Sequence, residues 1–199
     1  MEQEDWEMFI DTMKANVRSH ADYFSWLSDR DVEELSVVQS LNESLAHHGQ
    51  PFFHSLQSRG RGNDPPDCEA RSCTGRRVGI EVTELVERKS MEEASSRRPI
   101  PRERWEERCK PFPESQLFDL LAERIANKDK SLVKSRGGPY DEYVLIIYCD
   151  EPRVLDYGLI EYVRGTTFPR TTLIDRAFLL FSFSPWENRC PYIELKIAG

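Results

Sequence analysis

The chain has 199 residues and a formal net charge of −8, with five cysteines and no apolar run long enough for a membrane helix. This length predicts a single domain over 1–199, large enough to bury a proper core. The acidic start lacks the basic-then-apolar pattern of a secretory signal, and the odd, unpaired cysteines lack both the spacing of a zinc knuckle and an even disulfide framework, so the expected setting is a reducing cytoplasm.

The charge is unevenly placed. Residues 1–45 carry 11 acidic and 3 basic side chains, while the remaining 154 carry 24 of each sign. Arginines cluster at Arg59/Arg61, Arg76/Arg77 and Arg97/Arg98/Arg102/Arg104. Overall composition therefore leaves the partner open, whereas its distribution admits a polyanion beside the middle of the chain.

In chain order, residues 1–28 read as an N-terminal helical extension. Its amphipathic helix spans about 4–18 and carries an apolar stripe of Trp6, Phe9, Ile10, Met13 and Val17. A second helix begins at a Ser28 or Asp29 cap and stops at Gly49, with Val37, Val38, Leu41 and Leu45 on its buried face. Glu34 falls near the centre of that face, where a carboxylate needs a partner. His47 and His48 sit at the helix end, where a cation suits the dipole. Residues 52–56 predict a first strand, containing His54.

The stretch Asn63–Leu85 carries the chemistry. Asp67, Glu69 and Arg71 alternate on one side of a short run. A polar turn follows at Cys73-Thr74-Gly75-Arg76. Val78, Ile80 and Val82 then alternate with Glu81 and Thr83, the pattern of a half-buried strand. A β-hairpin built this way brings Asp67 to Glu81 on one exposed face. Two carboxylates there repel unless a hard cation lies between them.

Beyond it, residues 87–113 predict a charged, proline-bearing loop. A third helix runs from Glu114 or Ser115 to about Lys134. Leu117, Phe118, Leu121, Ile125 and Leu132 form its stripe, with Lys128 in the middle and Gln116 near the start. Residues 143–149 are a continuous apolar run, as in a strand covered on both faces. A helix over 152–164 ended by Gly165, and strands at 178–183 and 192–197, complete the chain. The expected fold class is α/β, a mixed central sheet flanked by helices.

The order helix, hairpin, helix, strand and the pattern Pro66-Asp67…Glu81-Val82-Thr83 resemble the PD-(D/E)xK nuclease superfamily, with its restriction-endonuclease-like fold, over residues 29–149. The remaining 150–199 would be an appended helix and strands. The resemblance implies that Asp67, Glu81 and the Val82 carbonyl hold Mg2+ or Mn2+, with Glu34 as the additional acid on the first helix. It implies a nucleic-acid substrate, DNA or RNA. The family lysine two residues past the Glu is replaced by Thr83, and Lys128, on the following helix, is the expected replacement. Glu69 would serve as a ligand only if Asp67 were displaced. The other reading is a non-catalytic protein-binding, inhibitor or immunity-type chain on the same fold. A cysteine enzyme using Cys68 or Cys73 with His54 lacks an activating motif.

Overall fold

The computed structural model describes residues 30–50, 53–60, 62–85, 112–150, 154 and 157–199. The predicted N-terminal helix, the 87–113 loop except its last two residues, and the first part of the 152–164 helix lie outside these.

The described chain is α/β. Its elements are α1 (Arg30–His47), β1 (Phe53–Ser58), β2 (Cys68–Ser72), β3 (Arg77–Glu84), α2 (Glu114–Leu132), β4 (Glu142–Cys149), α3 (Tyr157–Gly165), β5 (Thr167–Phe168), β6 (Arg176–Phe181) and β7 (Tyr192–Ile197). They form a seven-stranded mixed sheet in the order β1-β2-β3-β4-β6-β7-β5. The pairs β1–β2, β2–β3 and β6–β7 are antiparallel, while β3–β4, β4–β6 and β5–β7 are parallel.

This topology follows from the connections. Tight turns can return a strand only antiparallel, and parallel neighbours need a crossover long enough to span the sheet. The β2–β3 turn is closed by Gly75 at φ 81°, which a residue with a Cβ reaches only with strain, and by the Gly75 N–H donating to the Ser72 carbonyl. The segments holding α2 and α3 carry the chain back between β3, β4 and β6.

The helices cover both faces. On one, Val37, Val38, Leu41 and Leu45 of α1 pack with Val78, Ile80, Val82, Val144, Ile146, Phe178 and Leu180. On the other, Leu117, Leu121, Ile125 and Leu132 of α2 and Leu159 and Val163 of α3 pack with Leu145, Ile147, Leu179 and Phe181. Strand β4 is apolar on both sides for this reason. The two residues of β5 carry no periodic signal, and no strand was expected there.

One expectation is corrected. β3 is not half-buried: Val78 to Val82 are all buried, Glu81 included. Glu81 faces α2, whose Lys128 reaches it, rather than open solvent, while Thr83 stays partly exposed.

Candidate active site

Asp67 lies one residue before β2. Its carbonyl accepts the Arg59 N–H at 3.0 Å, which fixes its backbone to the β1 side. The β2–β3 ladder reaches only the Cys68–Ile80 pair. Upstream stand Pro65 and Pro66, which have no N–H to extend it. The Val82 N–H donates instead to Asp67 Oδ2 at 2.8 Å. In an extended strand the N–H and C=O of one residue point to the same edge, so the Val82 carbonyl faces the same gap.

Glu81 points to the α2 face, and both it and Asp67 are 2 % exposed. This corrects the expectation of carboxylates on an exposed face. Lys128 enters from α2, at the position in the Leu117, Leu121, Ile125, Leu132 stripe where another apolar residue would fall. Its Nζ lies 2.5 Å from Glu81 Oε2 and 3.8 Å from Asp67 Oδ2. Two carboxylates, one ammonium and one strand edge thus meet at a single point. Glu81 Oε1 is buried with no hydrogen-bond partner.

Burial dominates the electrostatics. It pushes the Glu81 carboxyl up to about 7, the Asp67 charge adds to the rise and Lys128 opposes it. Asp67 is also raised by burial, against the ammonium of Lys128 and the Val82 N–H. Glu34 is buried on α1 and bonded by Arg30 Nε at 2.6 Å. Burial and then the Asp67 charge push it up to about 7. It is therefore close enough to sense the pair, from the other side of the sheet edge.

Thr83 lies one pleat past Glu81 on the same face, partly exposed. Gln116 is twelve residues from Lys128, about 18 Å along the helix, and is not part of this site. Glu69 is drawn into a separate network with Gln57, Arg77 and Tyr140. His48 Nδ1 bonds the Ser44 carbonyl, as a helix-end group. Cys68 is buried in the α1-side core and Cys73 exposed in the hairpin turn, while His54 is exposed on β1. Burial pushes the Cys68 thiol up, away from the thiolate a nucleophile needs.

Sequence reasoning missed three features: the Val82 N–H, the Arg30–Glu34 pair and the orphaned Glu81 oxygen. The i,i+4 spacing of Arg30 and Glu34 was the available signal for the second.

As a cation site, the cluster offers hard oxygen donors: two buried carboxylates, one with an unsatisfied oxygen, and a carbonyl at a vacated sheet edge. This suits Mg2+ or Mn2+, which bind through one or two carboxylates and keep several waters. Among the described residues no group of three or more His, Cys, Asp or Glu side chains is placed to hold a metal ion. The oxygen donors gathered at this point are two side-chain carboxylates and one main-chain carbonyl. Compared with protein-family models, curated protein sequences and solved structures, the chain matches none. Among the described residues no helix is long and apolar enough to cross a membrane.

Proposed function

We propose that the chain is a divalent-metal-dependent phosphodiesterase, a nuclease acting on DNA or RNA in the cytoplasm, with a restriction-endonuclease-like core. The observation that carries this reading is the convergence of Asp67, Glu81 and Lys128 at the edge where β2 leaves β3, with one carboxylate oxygen left unsatisfied. The helix, three strands, helix, strand order that builds the site agrees with it.

Asp67, Glu81 and the Val82 carbonyl would hold Mg2+ or Mn2+. When bound, the cation polarises the scissile phosphate and lowers the pKa of an attacking water. The chain's own groups do the rest. The Val82 N–H holds one Asp67 oxygen, so the carboxylate keeps its orientation. Lys128 keeps positive charge beside the place where negative charge develops on the phosphate oxygens, in a site walled by α2. Glu34, gripped by Arg30, adds negative charge from α1. Thr83 offers a hydroxyl one pleat away but no charge.

The test is manganese binding by calorimetry, followed by cleavage of plasmid DNA and of RNA with Mg2+ or Mn2+. The wild type should bind the ion and cleave, while Asp67→Asn and Glu81→Gln should do neither. A wild-type protein that binds no divalent cation at pH 8 ends the nuclease reading.

One observation favours a second reading, a non-catalytic protein-binding or inhibitor chain. The Lys128 ammonium already pairs with both carboxylates without a metal. A folded protein that neither binds cations nor cleaves, yet captures a protein partner, is what that reading expects.

A further inference from the structure

The turn end of the β2–β3 hairpin gathers arginines in an unusual way. Arg71 and Arg77 are direct cross-strand partners, on the face that also bears Asp67 and Glu81. Like charges placed opposite each other destabilise a hairpin. Arg77 is relieved by Glu69 at 2.7 Å, by the Gly137 carbonyl and by stacking on the Tyr140 ring at 4.4 Å. Among the described residues Arg71 is not paired with an acid. Its Nη1 donates to the Gly75 carbonyl at 3.0 Å.

Two more exposed arginines are anchored in the same manner. Arg136 Nη1 donates to the Gly62 carbonyl at 2.5 Å, and Arg76 Nη2 to the Asp141 carbonyl at 2.6 Å. Arg76 also stands 3.6 Å from Glu142 and remains 53 % exposed. A neutral carbonyl fixes a guanidinium without cancelling its charge, and leaves its other N–H edges free for a bidentate acceptor. Counting Arg59, which bonds Glu69 and Tyr140, this cluster holds five guanidinium groups beside three carboxylates: Glu69 pairs with Arg59 and Arg77, Glu142 stands by Arg76, and Asp141 accepts the Arg77 main-chain N–H. It is a positive island on a chain of net charge −8.

We propose that Arg71, Arg77 and Arg136, with Arg76 at the tip of the turn beside Glu142, form a preorganised platform for the phosphodiester backbone of a nucleic acid. The platform leads a strand toward Asp67 and Glu81, passing over Pro66 and Tyr143, which cover the hairpin at Gly79. From Arg77 to Glu81 is four residues of strand, about 13 Å. That spans about four phosphates of one strand at the axial spacing of a duplex. The proposal rests on the nuclease reading for the identity of the polyanion, and it adds the direction from which the strand reaches the site.

The experiment measures fluorescence anisotropy of a labelled oligonucleotide, as single strand and as duplex. It is done in EDTA and again in calcium, across a range of salt. The variant is Arg71→Gln/Arg76→Gln/Arg136→Gln, in which glutamine can still bond the carbonyls, beside the matching triple lysine variant. Each lost phosphate contact lowers the salt slope by about 0.7 for a single strand or about 0.9 for a duplex, so the glutamine triple should lose about 2–3 in slope. Affinity should fall at least about tenfold, and the lysine triple should keep the slope. The single strand and duplex arms tell which form is held. A glutamine triple with native melting and unchanged affinity and slope overturns the platform, as does a wild type that binds neither oligonucleotide under either condition. Cleavage is scored separately. If the wild type binds but never cleaves, the platform stands and the nuclease reading fails; if the triple cleaves with unchanged KM, the reverse holds.

Discussion

Lys128 holds two buried carboxylates whose ionised forms the fold otherwise disfavours. Removing the partner of a buried charge costs about 3–5 kcal/mol, unless the group left behind takes up a proton. Lys128→Met keeps the length and the apolar contacts of the stem. Its melting temperature should therefore fall well below wild type at pH 8 in EDTA and only slightly at pH 5, where Glu81 is protonated. Manganese should restore stability at pH 8, and metal affinity should be at least that of wild type, because a competing cation has gone. On the nuclease reading, cleavage should nevertheless drop by about 10²–10⁴, the scale of a lost charge-stabilising or proton-handling group. Wild-type turnover by Lys128→Met removes this lysine from the chemistry. Much of this cluster was legible in the sequence, because period two places Asp67 and Glu81 on one face and helical spacing makes Lys128 interrupt an apolar stripe. The Val82 N–H was not legible, since it depends on where β2 stops pairing. Nor were the carbonyl anchors of Arg71, Arg76 and Arg136, which depend on loops that no local pattern fixes.

The site is held by how its elements meet. Strand β3 reads as a half-buried strand because Glu81 and Thr83 are polar, yet it is covered on both faces, and only the position of α2 reveals this. The order of helices and strands was legible from apolar periodicity, whereas a two-residue strand such as β5 leaves no such trace. Gly79 lies on the same face, two residues before Glu81. A Cβ there would stand 3.0 Å from the Tyr143 ring and 3.1 Å from Pro66 Cγ. Pro66 immediately precedes Asp67, so crowding at Gly79 should displace that carboxylate. Gly79→Ala should cost about 1–3 kcal/mol, as other overpacking does, and should weaken manganese binding in parallel. Unchanged metal affinity in a destabilised Gly79→Ala protein would show that the Pro66 contact does not position Asp67. At the other side, α2 is tied to the segment entering β6. Asp129 accepts the N–H groups of Thr172, Leu173 and Ile174 at 2.8–3.0 Å. Those donors outweigh burial and hold its carboxyl below the usual range. Stability from Asp129 is therefore present above about pH 4 and lost as pH falls through the lowered value. Asp129→Ala, which leaves the buried Ile174 N–H unpaired, should cost about 1–3 kcal/mol at pH 7. Urea unfolding measures it, and a change within error would mean that water replaces the carboxylate.

For the whole molecule, the buried acidic cluster sets folding against the ionised state that the proposed metal site would need, and pH exposes the conflict. Glu81 and Glu34 are both pushed up to about 7 by burial, with the Asp67 charge as the next cause. A carboxyl raised above its unfolded value favours the folded state while protonated. That stability is fully present below about pH 4.5, the unfolded range, and is lost as pH rises through about 7. For Glu81 the full effect is on the order of 3 kcal/mol. A divalent cation held there, as proposed, would have the opposite preference, because it would bind only the ionised oxygens and stabilise the fold by mass action. Thermal melting in EDTA should therefore show a fall in stability between about pH 5 and pH 8. Added Mn2+ should do little at pH 5.5 and raise the melting temperature clearly at pH 8.5. Glu81→Gln should flatten the EDTA profile and abolish the Mn2+ response, since it removes both the buried charge and a proposed ligand. Glu34→Gln should flatten the profile in part. If Glu34 is a ligand, its Mn2+ response shrinks; if it only lends negative charge from α1, the response at pH 8.5 weakens modestly and salt diminishes the difference. An equal Mn2+ shift in wild type and Glu81→Gln would place the cation elsewhere on the molecule. The Asp67–Glu81 pair would then be a structural cluster, held by Lys128 and the Val82 N–H.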